Sequence, residues 1–492
     1  MYGVTPLRRP CATATARHLA RFATLVALLA SAACAPPATA PAKPEALRVS
    51  EDRRCLVTRD GGRRVFLLAD TAWNLCALTD AEVDLYLHNR AGHGFNAVMF
   101  CLDFSPQAAA ENAYGQRAYV GPDRTSLDPG YFAHVDRAVD VAEAQGLYVM
   151  LYAMWGGQKA GTMNGYSLGQ LRAIGLALGA RYAGRPNVIL VAGGESTPPY
   201  VDVARVAAIG QGLRDGSRGE NLIAVHPCSD RSSSRYFSEA PWLDMYMAQV
   251  KSGHGGEKVD MTIQVSADYA MGTTRPSAAK PTMLVEHRYE VGTAEPPIIQ
   301  RRSLYLSVFA GGFGYAYGHN ALWQMTPHTG LPWMLKGWTP GVAKWSDALD
   351  TVAVDQLHHI FELEALHSTL GAIPDPSLVL AGQDAEISSR VQSIRDGTAG
   401  RRDATYVMAY TAANKPLSLD AWPLDSATVS ISIFDPATGH LTRLVSQVQA
   451  PTVGRTVPVK VTPPPDTADS VIILEPTGPH VAPHTSDTQP PK

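Results

Sequence analysis

The sequence predicts an α/β protein, a (β/α)8 TIM barrel over residues 47–372 followed by a small all-β sandwich over 373–477. Three observations predict it. Apolar strand-like runs alternate with stretches of helical periodicity in units of roughly 30 to 45 residues, and eight such units fit before the pattern stops. Neither a GxGxxG turn nor a P-loop follows any of the runs, so nothing favours the doubly wound, nucleotide-binding open sheet that is the alternative. From Ile373 the texture changes to short alternating strands separated by turn residues.

The composition suits a chain with a sizeable core. Of 492 residues, 45% are hydrophobic and 18% charged, and the net charge of -3 offers no basic field for nucleic acid. Residues 1–33 read as a signal peptide: Arg8, Arg9, Arg17 and Arg21 precede an apolar run, Phe22–Ala30, that is too short to span a bilayer. The small residues Ser31-Ala32-Ala33 stand directly before Cys34, which resembles a bacterial lipoprotein signal. Cys34 is therefore a candidate lipidation site, and ordinary cleavage near Ala33 is the alternative. Export to the periplasm, to the outer membrane or to the medium follows, with membrane attachment only through that lipid. Residues 34–46 are Ala/Pro/Thr-rich and read as a tether, and 478–492 as a disordered tail.

Leu47–Phe66 reads as a hairpin turning at Asp60-Gly61-Gly62. Strand one is placed at Val65–Ala69, ending in Asp70-Thr71-Ala72-Trp73. Thr79 and Glu82 form a capping box for the first helix, which Gly92 and Gly94 end. Strand two, Phe95–Phe104, carries Asp103. Asp128-Pro129 opens the second helix. Strands three (Leu147–Trp155), four (Asn187–Glu195), five (Asn221–Cys228) and six (Leu243–Val250) follow. Lys251–Ala279 reads as an insertion before strand seven, in Lys280–Glu290, and strand eight lies in Gly311–Asn320. A closing helix is expected near Val352–Leu366. Ala404–Tyr410, Thr428–Phe434 and Ser470–Leu474 are the clearest strands of the sandwich. Six cysteines show no metal-ligand spacing. Buried free thiols are expected at Cys55, Cys76, Cys101 and Cys228, with one disulfide as the alternative.

Chemistry is sought at the C-terminal ends of the strands, where a barrel gathers its functional side chains. Glu195 ends strand four and Glu286 ends strand seven. Two carboxyl groups facing one another across the mouth suit glycoside hydrolysis, one protonated to donate to the leaving oxygen and one ionised to attack the anomeric carbon, about 5–5.5 Å apart for retention. Structural ion pairing, with Arg288 as partner, is the bland alternative. Asp70, Trp73 and Asn74 after strand one are candidates to bind a sugar, Trp73 as a stacking platform and Asp70 as a hydroxyl ligand. Asp103, Trp155 and His226 end strands two, three and five and are candidate pocket residues.

Four stretches, ADTAWNLCALTDAEVDLYLHNRAGHGFNAV, ILVAGGESTPP, KPTMLVEHRYE and GGFGYAYGHNALWQM, resemble the apiosidase-like family, glycoside hydrolase family 140, over about Phe66–Leu474. The resemblance implies a (β/α)8 barrel with a C-terminal β-sandwich, and a retaining enzyme that removes apiose from a pectic side chain. It implies that Glu286, the first acid of E-x-R-Y-E, is the nucleophile and that Glu195, after Gly-Gly, is the acid/base. The family commonly has Asp at the latter position, so the longer side chain bears on the substrate. Arg288 and Tyr289, in the same motif, are candidate substrate-binding residues, with Glu290 orienting one of them, and so are His319, Asn320 and Trp323, which match its H-N-x-x-W, with His319 or Asn320 bonding a sugar hydroxyl.

No cofactor or metal is required by this reading, and the partner is an oligo- or polysaccharide. Two other readings are a non-catalytic glycan-binding surface lipoprotein and a metal-dependent hydrolase using His226, Asp230 and His254, whose spacing matches no ligand motif.

Overall fold

The computed structural model describes residues 42–104, 111–157, 162–228, 230–250, 260, 262–292, 295–325, 344–449 and 455–477. The expected signal peptide, Cys34 and most of the tether, the C-terminal tail and His254 lie outside the described residues. No helix among the described residues is long and apolar enough to cross a membrane.

Eight strands form the barrel: β1 (Leu67–Thr71), β2 (Ala97–Cys101), β3 (Tyr148–Tyr152), β4 (Val188–Val191), β5 (Ile223–Ala224), β6 (Tyr246–Gln249), β7 (Thr282–Glu286) and β8 (Gly314–Tyr317). They pair in the order β5-β4-β3-β2-β1-β8-β7-β6, every pair parallel. All eight are buried along their whole length, because a parallel sheet closed on itself has a packed interior and a ring of helices outside.

The seam between β5 and β6 is narrow. The Asp244 N–H donates to the Ile223 carbonyl at 2.9 Å, and the Asp244 carboxylate accepts from the Ile223 N–H at 2.7 Å. One residue thus replaces a ladder. Above it, a short strand absent from the sequence reading, Arg231–Ser232, pairs antiparallel with β6 and covers its free edge.

The helices are α1 (Asp80–Gly92), α2 (Pro129–Ala144), α3 (Leu168–Tyr182), α4 (Val203–Ser217), a single turn α5 (Ser234–Phe237), α6 (Thr262–Thr274), α7 (Ile298–Phe309) and α8 (Asn320–Gln324). The capping box at Thr79 and the Asp128 cap are both present. Three expectations are corrected. Val65 belongs to the three-stranded N-terminal sheet, opposite Leu56, so β1 begins two residues later than expected. The stretch read as an insertion contains α6, the helix of the sixth unit. The closing helix is two pieces, α9 (Val352–Leu357) and α10 (Ile360–Leu366).

Helices α3 and α4 approach closely because glycine faces glycine. A methyl group on Gly175 would lie 2.3 Å from the Ile209 carbonyl oxygen, and one on Gly179 2.5 Å from that of Leu213. Gly212 and Gly216 make the reciprocal approaches to Arg172 and Leu176, at 2.4 and 2.2 Å.

After the barrel come β9 (Ile373–Pro374), β10 (Val379–Ala381), β11 (Val391–Arg395), β12 (Val407–Thr411), β13 (Leu417–Asp420), β14 (Thr428–Phe434), β15 (Leu441–Gln449), β16 (Pro458–Val461) and β17 (Ser470–Pro476). They make a six-stranded sheet, β9-β11-β12-β17-β14-β15, and a three-stranded sheet, β10-β13-β16. Leu419, Ile431, Val459 and Ile472 share a core between the two sheets, as in a sandwich. The alternate residues of the larger sheet, Met408, Tyr410, Phe434 and Ile473, join the barrel's core instead. Tyr410 stacks on Tyr305 of α7 at 5.2 Å, and Arg301 of α7 pairs with Asp469 at 2.6 Å, both nearly fully buried. The four described cysteines, Cys55, Cys76, Cys101 and Cys228, are buried free thiols.

Candidate active site

Glu286 is the last residue of β7, and across the β6–β7 ladder it stands opposite Gln249, the last residue of β6. Its side chain is nearly buried, and Oε2 lies 3.2 Å from His226 Nε2, brought there by the end of β5. Tyr289 packs against the same carboxyl group, and its hydroxyl accepts from Trp73 Nε1 at 2.9 Å.

Glu195 reaches the site on the turn after β4, with a positive φ of 45°. The two glycines before it are steric requirements. A methyl group on Gly194 would meet the Trp155 ring at 2.1 Å, and one on Gly193 would meet Ser196 Oγ at 2.3 Å. Gly157 gives the Glu195 carboxyl group its space, since a methyl group there would sit 2.0 Å from Oε2. Gln249 Nε2 donates to Glu195 Oε1 at 3.2 Å, and the Trp155 indole donates to the same carboxyl group.

The surroundings of Glu195 favour its neutral form. Burial, and then the neighbouring Glu286, push Glu195 up to about 7, against the opposing pull of His226, Gln249 and Trp155. A carboxyl group that keeps its proton to neutrality beside a second carboxyl group is the arrangement general acid catalysis requires.

An aromatic cluster floors the site. Trp73 lies 4.9 Å from Tyr152, 5.0 Å from Trp155 and 5.7 Å from His226, and stacks on Phe104 at 6.4 Å. Trp73 itself is only 2% exposed, so it supports the cluster from beneath and is not a free stacking platform. The partly exposed rings are Phe104 and Trp323, 5.8 Å apart.

The other expected residues divide. Asp70 is corrected: it points outward from β1, fully buried, bonded to the Tyr86 hydroxyl at 2.8 Å and paired with Arg90 at 3.1 Å. It anchors α1 and offers nothing to a sugar. Arg288 pairs with Glu295 and with neither acid of the site. Glu290 does not orient Arg288; it accepts from the Tyr317 hydroxyl at 2.6 Å and Thr351 Oγ1 at 2.9 Å, and burial raises it to about 7. Asn74 donates to the Trp323 carbonyl at 3.2 Å. Asn320 Oδ1 accepts from Trp323 Nε1 at 3.2 Å. His319 is fully buried and caps α8 by accepting from the Ala321 N–H at 3.0 Å. Burial holds it down near 4, so it is neutral. Asp103 is buried at the end of β2, raised to about 6 by that burial, and its Oδ1 has no partner among the described residues.

Sequence reasoning passed over Gln249. The signal was available: a polar residue closing an apolar strand, the same feature that drew attention to Glu286. For a metal-dependent reading, the described residues offer one converging group, His358, His359 and Glu362 at the α9–α10 junction, and this is not at the strand ends. His226 meets Glu286 instead.

Comparison with known proteins adds to this geometry. The family described as "Apiosidase-like, catalytic domain" matches residues 50–368, well over half the chain. The chain belongs to the apiosidase-like family. A second description, "Putative collagen-binding domain of a collagenase", matches 373–475. Among solved structures, one described as a glycoside hydrolase is 24% identical with a TM-score of 0.72, covering 89% of this chain and 98% of the other. A glycoside hydrolase family 5 structure from Bacteroides vulgatus ATCC 8482 is 23% identical with a TM-score of 0.71, covering 88% and 93%. No curated protein matches the chain. The apiosidase-like barrel is thus the catalytic domain of a glycosidase, and Glu195, Glu286, His226 and Gln249 meet at the end of it where such a fold carries its chemistry.

Proposed function

We propose that this apiosidase-like enzyme hydrolyses glycosidic bonds in pectic-type plant cell-wall glycans with retention of configuration. Glu286 is the nucleophile and Glu195 the acid/base. In the first step the Glu286 carboxylate attacks the anomeric carbon while Glu195 gives its proton to the departing oxygen. In the second, Glu195, now ionised, takes a proton from water, and that water displaces Glu286 from the sugar. The observation that carries this reading is the meeting of the two acids, Glu195 held by Gln249 at 3.2 Å and Glu286 directly opposite Gln249 in the ladder, with burial and Glu286 both raising Glu195. The family's name supports a pentose such as apiose as the sugar released. The Glu195 side chain, longer by one methylene than the Asp its relatives commonly carry, bears on which linkage fits.

The test is a screen of pectic side-chain oligosaccharides with wild type and Glu286→Gln, reading the first-formed anomer by proton NMR. Retained product from wild type and none from the variant are expected. An inverted anomer would remove the double displacement. Glycan binding without turnover by wild type would leave a non-catalytic glycan-binding protein.

The N-terminal sequence supports export, with Cys34 as the acceptor of a lipid. Mass spectrometry of the mature N-terminus from the native host tests this; an unprocessed Met1 would contradict it.

A further inference from the structure

Gln249 is 1% exposed, and its amide has one committed end and one spare end. Nε2 donates to Glu195 Oε1 at 3.2 Å, while Oε1 is buried with no partner among the described residues. A buried amide oxygen without a donor is unfavourable, so the arrangement calls for a reason. The chemistry of Glu195 supplies one. An acid/base must be held in place both as carboxylic acid and as carboxylate. A carboxylate needs a donor and a carboxylic acid needs an acceptor, and a primary amide is both.

We propose that Gln249 is the positioning residue of Glu195, its amide presenting Nε2 to the carboxylate and, turned over, Oε1 to the acid, so that it sets the pH at which Glu195 loses its proton. This rests on the reading of Glu195 as the acid/base. Backbone geometry supports it: Gln249 ends β6 directly opposite Glu286, at a register shift in the ladder between Ala248 and Gln249. The amide is thereby anchored to the strand that carries one acid while it holds the other. Among the described residues, other groups act on Glu195. Glu286 comes from β7, His226 from the end of β5, and Tyr200, with Cys228 and Arg231 near it, from the far side. The Trp155 indole can donate but cannot accept, so it serves the ionised form alone. Among the described residues, Gln249 is the group whose amide both bonds Glu195, at 3.2 Å, and keeps a buried, unpartnered acceptor in reserve.

The experiment needs no substrate. The full-length protein is labelled at Glu195 with a water-soluble carbodiimide and glycine ethyl ester, which react with the protonated carboxyl group. Labelling is followed against pH by peptide mass spectrometry, with Glu195→Gln identifying the peptide. Wild type should show a midpoint near 7. Gln249→Met removes donor and acceptor together, and because the bond to the charged carboxylate is the stronger of the two, the midpoint should rise by about one unit. Gln249→Glu adds a charge and should raise it further. A Gln249→Met protein with native circular dichroism and an unmoved midpoint overturns the proposal. Should Gln249→Met fail to fold, an unmoved midpoint in Gln249→Glu overturns it equally. Turnover is not used, so failure here is distinguishable from failure of the glycosidase mechanism, which Glu286→Gln tests.

Discussion

His226 Nε2 lies 3.2 Å from Glu286 Oε2, and neither atom takes a hydrogen bond from any other described residue. The imidazole is fully buried, edge-on to Trp155 and Tyr152, so its ring plane is set by packing and its nitrogen is aimed at the acid. It also steadies the ionised form of Glu195. One residue therefore bears on both acids. His226→Asn should lower kcat by roughly 10- to 100-fold with a smaller change in KM, since the loss falls on charge that moves during the reaction. Steady-state kinetics check this, and a loss confined to KM would place His226 in substrate binding.

The acid/base sets a pH limit. Glu195 is held up to about 7, and it must carry its proton to assist departure of the leaving group. The kcat/KM profile should fall as pH rises through about 7. Glu195→Ala should lose most activity on a glycan and much less on a 2,4-dinitrophenyl glycoside, whose leaving group needs no proton. Equal losses on both would remove Glu195 from that role.

Glu290 makes a stability prediction. Its ordinary value of 4.5 is raised to about 7 in the fold. For an acid raised by folding, the unfolded chain ionises first. Stability is therefore greatest at low pH, falls between about 4.5 and about 7, and is level above that. Glu290→Gln keeps the bonds to Tyr317 and Thr351 and has no charge to bury. It should flatten this slope and be more stable at neutral pH by on the order of 1–2 kcal/mol. Melting temperature against pH, compared with wild type, checks it; parallel curves would contradict it.

The α3–α4 glycines are a packing prediction. Gly179→Ala gains helix propensity but forces a methyl group within 2.5 Å of the Leu213 carbonyl oxygen, which is backbone and cannot swing aside. The expected net cost is about 1–3 kcal/mol in urea unfolding. Gly92→Ala, on α1 with nothing within 4 Å, is the control and should be neutral or slightly stabilising.

Much of this was legible because strand and helix signals are local. Continuous apolar runs such as Leu147–Trp155 and the Thr79–Glu82 cap need no distant partner to be recognised. Glu286 at the end of β7 could be read in the same way, whereas the strand expected to run to Glu195 stops at Val191 and Glu195 stands on the turn beyond it. What was misread depended on register or on distance. Starting β1 at Val65 made Asp70 look like the first residue beyond the strand. With β1 at Leu67–Thr71 it lies inside, where alternation turns it outward to Tyr86 and Arg90. Helix α6 was missed because TIQVSADYAMGTT is rich in β-branched residues and threonine, poor helix formers whose helix is stabilised by its neighbours. The partner of Arg288 was hidden for another reason: Glu295 lies in a loop, and loop geometry has no period to read.

The six-stranded sheet of the C-terminal domain is apolar on both faces, one toward its own sandwich and one toward α7. The sandwich is therefore, physically, a wall of the enzyme. A chain cut after residue 372 would leave Tyr305 and Phe309 facing water and strand Arg301 without Asp469. The two parts therefore cannot be exchanged independently: a barrel recombined with a foreign module would have to inherit this interface or rebuild α7.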